Sequence, residues 1–175
     1  MPEAMSNRVA VRPATPQDCR AVWEWRNEQA TREASFNTRY IPYEEHKSWF
    51  AHKLTDPHSR IFMVANAQGR DAGYVRFDLV NQEATISVSI DSNERRKGYG
   101  TAAIKSAADL LLGTEPVHRV IAHIRRDNPA SVAAFERAGF VLQGYTQFEG
   151  VDACKMVYEG KASAGAQPNR PQEPS

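Results

Sequence analysis

The sequence predicts one mixed α/β domain, of the α+β kind, in which an antiparallel meander is followed by a β-α-β crossover. Two observations predict it. Three strand-like runs, at residues 60–66, 72–79 and 84–90, succeed one another across short polar turns. From residue 99 the pattern changes to alternation: helix-like 99–112, strand-like 119–124, helix-like 129–138. Length agrees, because 175 residues suit one domain with a full-sized core. Hydrophobic residues make up 41% and charged residues 25%, a soluble globular balance.

Arg8-Val9-Ala10-Val11-Arg12 forms a first strand, stopped by Pro13. Thr15-Pro16-Gln17-Asp18 starts a helix, with Thr15 as N-cap, proline at N1 and Asp18 at the capping-box position. That helix runs through Val22, Trp23 and Trp25 to about Ala30, and a polar, aromatic stretch fills 31–41. Pro42-Tyr43-Glu44-Glu45 begins a second helix, which carries His46, Trp49, Phe50 and Leu54 at helical spacing. Ala67-Gln68-Gly69-Arg70 and Val80-Asn81-Gln82-Glu83 turn the meander. Gly139 ends the last helix, and strands at 141–148 and 153–158, joined near Gly150, close the body. The organisation is therefore a flexible N-terminus at 1–7, a domain at 8–160 and a tail at 161–175. Its Pro, Ala, Gly, Ser and Gln content marks that tail as disordered.

Net charge is +1, from 22 basic and 21 acidic residues, too even for a general nucleic-acid surface. Cys19 and Cys154 lie far apart and form no metal-ligand spacing, so no metal site is expected. Two reduced thiols fit a cytoplasmic protein. No apolar run approaches the roughly 20 residues of a membrane span. Met1–Met5 lacks a signal-peptide core.

Positive charge is instead concentrated in Arg95-Arg96-Lys97-Gly98-Tyr99-Gly100, between the strand 84–90 and the helix 99–112. A strand, a basic glycine-spaced loop and a helix N-terminus together can hold a pyrophosphate on backbone N–H groups. Alone, such a loop is as readily a solvated cap. It is no P-loop, since no Gly-Lys-Ser/Thr ends it, and it lacks the three-glycine dinucleotide fingerprint. A second segment sharpens it. Asp127-Asn128-Pro129-Ala130-Ser131 follows a strand and leads into Phe135-Glu136-Arg137-Ala138-Gly139-Phe140.

These two segments, in this order, resemble the two central motifs of the Gcn5-related N-acetyltransferases (GNAT), and the element order at 8–158 matches that superfamily. The resemblance implies a mostly antiparallel sheet of six to seven strands, with strands 4 and 5 splayed and about four flanking helices. It implies acetyl-CoA as donor. The backbone from Arg96 to Thr101 would cradle the pyrophosphate, with Gly98 and Gly100 allowing close approach and Arg95, Arg96, Lys97 supplying charge. Tyr99 lies within the same cradle. Pantetheine would pair with the open edge of Val88, Ser89 and Ile90, and the thioester carbonyl would meet an N–H near Val88 or Ser89. Asn128 and Ser131 would hold the other side of the pantetheine arm or the phosphates. Helix capping accounts for Asn128 equally well.

The reaction implied is attack of a neutral amine on the thioester, which needs a base and often an acid. Where the family commonly places a tyrosine acid, this chain has Phe135. Tyr145 and Tyr158 are the substitutes on offer, each also readable as a packing residue. Candidates for the base are His46, Asp78, Glu83 and a water held by Ser87. The acceptor side falls on Trp25-Arg26-Asn27-Glu28…Arg32 and Glu45-His46…Trp49-Phe50. This stretch, 23–50, resembles nucleotide-aminosugar N-acetyltransferases of the pseudaminic acid pathway. The resemblance implies that Arg26, Asn27, Arg32 and Arg39 bind a phosphorylated acceptor, with Trp49 packing on a ring. Other readings stay open: acetylation of protein N-termini, as on ribosomal proteins, of a small amine, or no catalysis at all in an acyl-CoA sensor. The expected partners are a small-molecule amine, no nucleic acid and no membrane, in a monomer or homodimer.

Overall fold

One seven-stranded sheet organises the chain, in the order β1-β2-β3-β4-β5-β7-β6. A computed structural model describes residues 8–160; the flexible N-terminus expected at 1–7 and the disordered tail expected at 161–175 lie outside the described residues. The strands are β1 (Ala10–Pro13), β2 (Ser59–Ala65), β3 (Asp71–Val80), β4 (Glu83–Ile90), β5 (Arg119–Arg125), β6 (Val141–Phe148) and β7 (Val151–Tyr158). The helices are α1 (Cys19–Asn27), α2 (Gln29–Ala34), α3 (Tyr43–Thr55), α4 (Tyr99–Thr114) and α5 (Pro129–Arg137). No helix among the described residues is long and apolar enough to cross a membrane.

The meander is β1 to β4, all antiparallel. Its β3–β4 turn holds Asn81 and Gln82 at φ 50 and 66, the paired positive values of a tight hairpin turn. The crossover through α4 makes β4 and β5 the parallel pair. They pair over three positions, Glu83–Arg119, Ala84–Val120 and Thr85–Ile121, and then part. The expected splay is therefore present. Beyond Thr85, β4 keeps β3 on one side through Ile90, and its other edge is open.

Strand alternation divides the core in two. Val75, Phe77, Ala84 and Ile86 face Ala103, Ile104, Ala107 and Leu111 of α4. Ile61, Met63 and Tyr74 face Cys19, Val22 and Trp25 of α1 and Phe50 of α3. Each fully buried large side chain contributes about 1.5–3 kcal/mol relative to exposure. Gly73 is fixed by the sheet itself: a Cβ there would lie 2.3 Å from the carbonyl oxygen of Ser89.

One helix differs from expectation. The first was expected to run unbroken from the Thr15 cap to about Ala30. Instead a short 3-10 turn, Pro16–Asp18, precedes α1, and Glu28 (φ −53, ψ 135) breaks the helix before α2. Tertiary bonds explain the break. Arg32 Nε donates to the Asn27 carbonyl at 3.1 Å, and Asn27 itself is bonded to Ile41. Five helices result where about four were expected.

Candidate active site

The open edge of β4 is defined by its hydrogen-bond alternation. Asp91 N–H donates to the Ala72 carbonyl at 2.7 Å, so Asp91 points its backbone groups at β3. In an antiparallel ladder the direction alternates, so Ser89 also faces β3, while Ile86, Val88 and Ile90 face away. The N–H of Val88 thus projects into the splay. Ser89 offers its backbone to β3 instead. Of the two N–H groups expected for the thioester carbonyl, the geometry favours Val88.

Just beyond β4 the loop turns into α4. Gly98 is the N-cap in a left-handed conformation (φ 79, ψ 4), and Arg96 is also at positive φ, 64. The first bond of the helix runs from Ala102 N–H to the Gly98 carbonyl at 3.3 Å. It leaves the N–H groups of Tyr99, Gly100 and Thr101 without a partner inside the helix. A Cβ at Gly100 would meet nothing nearer than Ile90 Cγ1 at 3.9 Å. That position is therefore empty of protein on the side of the unpaired N–H groups, as a pyrophosphate cradle requires. Tyr99 is buried and helps anchor the helix start.

The basic side chains divide. Arg96 is exposed, and Lys97 pairs with Glu94 at 3.4 Å. Arg95 turns away from the cradle. Its Nη2 donates to Thr31 Oγ1 at 2.7 Å and Glu28 Oε2 at 3.2 Å, and its Nε to the Ile90 carbonyl at 3.2 Å. Arg95 therefore ties the loop to α1 and α2, where a phosphate contact was expected. Asn128 caps α5 by accepting from Ser131 N–H at 3.2 Å. The Thr101 hydroxyl approaches the Ala134 carbonyl at 3.5 Å.

The expected acid and base residues separate. Phe135 is buried edge-on to Phe140, so that position is core. Tyr145 is 60% exposed beneath Arg126 on β6, two strands from β5, and the structure does not bring it to the splay. Tyr158 donates to Asp109 Oδ1 at 2.5 Å on the α4 face, and burial holds its phenol up at about 12. His46 has no exposed surface; its Nε2 donates to the Cys19 carbonyl at 3.0 Å. Burial pushes its pKa down to about 4. A ring sealed between α1 and α3 cannot touch an acceptor. Glu83 is held by Arg119 at 2.6 Å, at the zipped end of β4. Asp78 lies opposite Thr85, also at that end, between Lys53 Nζ at 3.1 Å and Arg76 Nε at 3.3 Å. Ser87 does stand at the splay, facing Arg76, whose Nη2 is 3.4 Å from its Oγ.

On the acceptor side, Asn27 is occupied: it brackets the Ile41 backbone, accepting from its N–H at 2.8 Å and donating to its carbonyl at 3.0 Å. Arg32 donates to the Asn27 and Thr38 carbonyls, and Arg39 pairs with Glu45. These side chains shape the 27–41 loop, with Arg39 and Glu45 forming an exposed ion pair. Arg26 and Trp49 stay together, with the guanidinium 4.5 Å from the indole centroid.

Two further residues join them. Arg76 lies 5.2 Å from the same indole centroid. His123 stands on β5 two positions past the last β4–β5 pair, as Ser87 does on β4. The two therefore flank the splay at one level and on one sheet face. His123 stacks on Phe148 at 4.3 Å, its Nδ1 is buried without a partner, and burial with Lys155 holds its pKa below the ordinary value. Alternation carried the signal for both: each is a charged or titratable residue at an every-second position of an otherwise apolar strand.

Comparison with known proteins agrees with this geometry. The spermidine N(1)-acetyltransferase of Vibrio cholerae serotype O1 is 23% identical over 144 residues, covering 81% of this chain and 83% of the relative. The N-acetyltransferase YfmK of Bacillus subtilis strain 168 is 31% identical over 99 residues, covering 54% of this chain and 63% of the relative. Among solved structures, the Vibrio cholerae spermidine N-acetyltransferase in complex with CoA and spermine superposes with a TM-score of 0.77 at 22% identity, covering 86% and 94% of the two chains. The AAC(6')-Ib structure with ribostamycin and coenzyme A gives 0.79 at 17% identity, covering 93% and 99%. The family model for the acetyltransferase (GNAT) domain matches residues 8–141, which hold the sheet through β5, the glycine loop and α5, and the chain belongs to that family.

Proposed function

We propose that this chain moves an acetyl group from acetyl-CoA to the primary amine of a small acceptor, by direct attack of the amine on the thioester. The observation that carries the reading is the unpaired Val88 N–H on the open β4 edge, set beside a helix N-terminus whose first N–H groups are also unpaired. Acetyl-CoA supplies the activated acyl group. The N–H groups of Tyr99, Gly100 and Thr101 hold its pyrophosphate, and Arg96 and Lys97 add positive charge at the rim. Val88 N–H donates to the thioester oxygen, where negative charge develops. His123, neutral near pH 7, takes the proton from the attacking amine, in place of the buried His46. Phe135 offers no proton, so the leaving thiolate draws one from water; a thiolate leaves readily without help.

A small amine as acceptor is supported by the relatives: a spermidine acetyltransferase, its complex with CoA and spermine, and AAC(6')-Ib with ribostamycin. A nucleotide-linked amino-sugar is the narrower reading and rests on residues 23–50 alone. Its diphosphate would meet Arg26, because Arg32 and Arg39 are engaged within the loop.

Thiol release from acetyl-CoA, followed with an amine panel of spermidine, an aminoglycoside, a UDP-amino-sugar, β-alanine, O-phosphoethanolamine and a peptide N-terminus, tests the proposal. Turnover with any small amine supports it. Turnover with the peptide alone assigns protein N-termini instead. Tight CoA binding with no release across the panel leaves a sensor. His123→Gln should lower kcat by about 100-fold. It should also remove the acidic limb of the pH profile, which lies below pH 6.5 because the pKa is lowered. An unchanged pH profile would show that His123 is not the base.

A further inference from the structure

Arg26 is a half-buried guanidinium on α1 with no hydrogen bond or ion pair among the described residues; its recorded contact is the face of Trp49. Desolvation holds its pKa below the ordinary guanidinium value, with Arg76 and Arg39 acting the same way and Tyr74 and Glu45 offsetting only part of the shift. Arg76 approaches the same indole from β3. Its Nε is buried and lies 3.3 Å from Asp78 Oδ2 but off the N–H axis, so it has an ion pair without a hydrogen bond. Two guanidiniums around one indole repel each other, and of the two Arg76 alone has an ion-pair partner among the described residues, Asp78.

The neighbouring charges do not cancel it. Around this cluster stand Arg26, Arg39, Lys53 and Arg76 against Glu45, Asp56 and Asp78. Glu45 is bound to Arg39, Asp56 and Asp78 to Lys53, and Asp78 also to Arg76. Arg26 is the cation left over. A planar guanidinium stacked on an indole is pre-organised to take a carboxylate or phosphate, with donors directed off its edge.

We propose that Arg26, Trp49 and Arg76 form an anion subsite, and that the acceptor is a compact amine carrying its own carboxylate or phosphate. This rests on the reading of the chain as an N-acetyltransferase. Position sets the compactness. Arg76 is opposite Ser87, and Ser87 precedes Val88, about 3.3 Å along the strand. An anion held there lies only a few bonds from an amine poised at the Val88 N–H. A polycation such as spermidine, which the relatives acetylate by name, would instead set a second ammonium against two guanidiniums.

The test is calorimetric binding to the CoA-loaded protein, using ethanolamine, β-alanine, O-phosphoethanolamine and spermidine. The first three share one aminoethyl arm and differ in a hydroxyl, a carboxylate or a phosphate. At least one anionic amine is expected to bind about tenfold more tightly than ethanolamine, and the tighter of the two identifies the anion. Arg26→Gln and Arg76→Gln should each erase that preference while leaving CoA affinity unchanged. Equal binding of the three aminoethyl compounds overturns the proposal, and so does spermidine binding more tightly than both anions. The unsubstituted protein decides this by itself should a variant fail to fold. Binding is read apart from thiol release, so loss of the subsite and loss of acetyltransferase activity are distinguishable.

Discussion

His46 has no exposed surface, and its Nε2 donates to the Cys19 carbonyl between α1 and α3. Burial lowers its pKa from 6.5 to about 4, and the sign of the consequence follows. Above pH 6.5 the ring is neutral in folded and unfolded chains alike. Between pH 6.5 and about 4 the unfolded chain takes up a proton that the folded chain refuses, so stability falls with pH. The loss reaches about 3 kcal/mol and levels off once the folded ring also titrates. His46→Gln removes this contribution while keeping a donor for Cys19. Chemical denaturation at pH 7.0 and 4.5 should show the wild type losing more stability than the variant. Parallel losses would mean that His46 titrates normally. The sequence showed a histidine on an amphipathic helix and gave no means to tell a sealed ring from a reactive one, because the difference lies in what α1 places over it. His123 reverses the case: its strand alternation was visible, but its position at the splay depends on where β4 and β5 stop pairing.

At the scale of elements, the proposed cradle rests on backbone N–H groups more than on the basic side chains around it. Gly98 supplies the left-handed cap and Gly100 the open approach. Gly100→Val has room in the protein, since a Cβ there meets only Ile90 Cγ1 at 3.9 Å. The fold should therefore survive, with thermal stability changed by less than about 1 kcal/mol. CoA affinity should fall by about 100-fold, as the new side chain displaces the pyrophosphate from the N–H groups. Calorimetry with CoA measures this, and an unchanged affinity would move the pyrophosphate elsewhere. This loop was legible because strand, glycines and helix are consecutive in the chain. The meander from β2 to β4 and its two hairpin turns were legible for the same reason, whereas the insertion of β7 between β5 and β6 was not. The α1–α2 break was not, because Arg32, Asn27 and Ile41 form it through contacts across the loop that no local period records. The fate of Asn27, Arg32 and Arg39 was hidden likewise: their polarity suggested ligands, while their partners are backbone carbonyls and Glu45.

In the whole molecule, α1 and α3 pack on the sheet through a buried core, and Arg95 adds a polar tie between the loop after β4 and the α1–α2 junction. The donor side is β4, its loop and the start of α4. The acceptor side is α1, α2 and the α3 face bearing Trp49. Arg95 leaves the donor loop, bonds the Ile90 carbonyl at the end of β4, and reaches Glu28 and Thr31 at the junction of α1 and α2. On the proposed reading it helps to set the distance between an acyl group at Val88 and an amine positioned from Arg26. Arg95→Met keeps the length of the side chain and removes all three bonds. Partial exposure limits their combined worth to about 1–2 kcal/mol. Thermal stability should then drop by about 2–8 °C for a domain of this size. The functional effect should be larger on the rate than on donor affinity. On the proposed reading CoA is held by the N–H groups of α4, which stay in place, whereas the geometry of attack depends on the junction. Steady-state kinetics should show kcat falling by about tenfold, with the KM for acetyl-CoA changed by less than threefold. If Arg95 were instead a phosphate contact, the KM for acetyl-CoA would rise and kcat would hold, and the same measurement would show it.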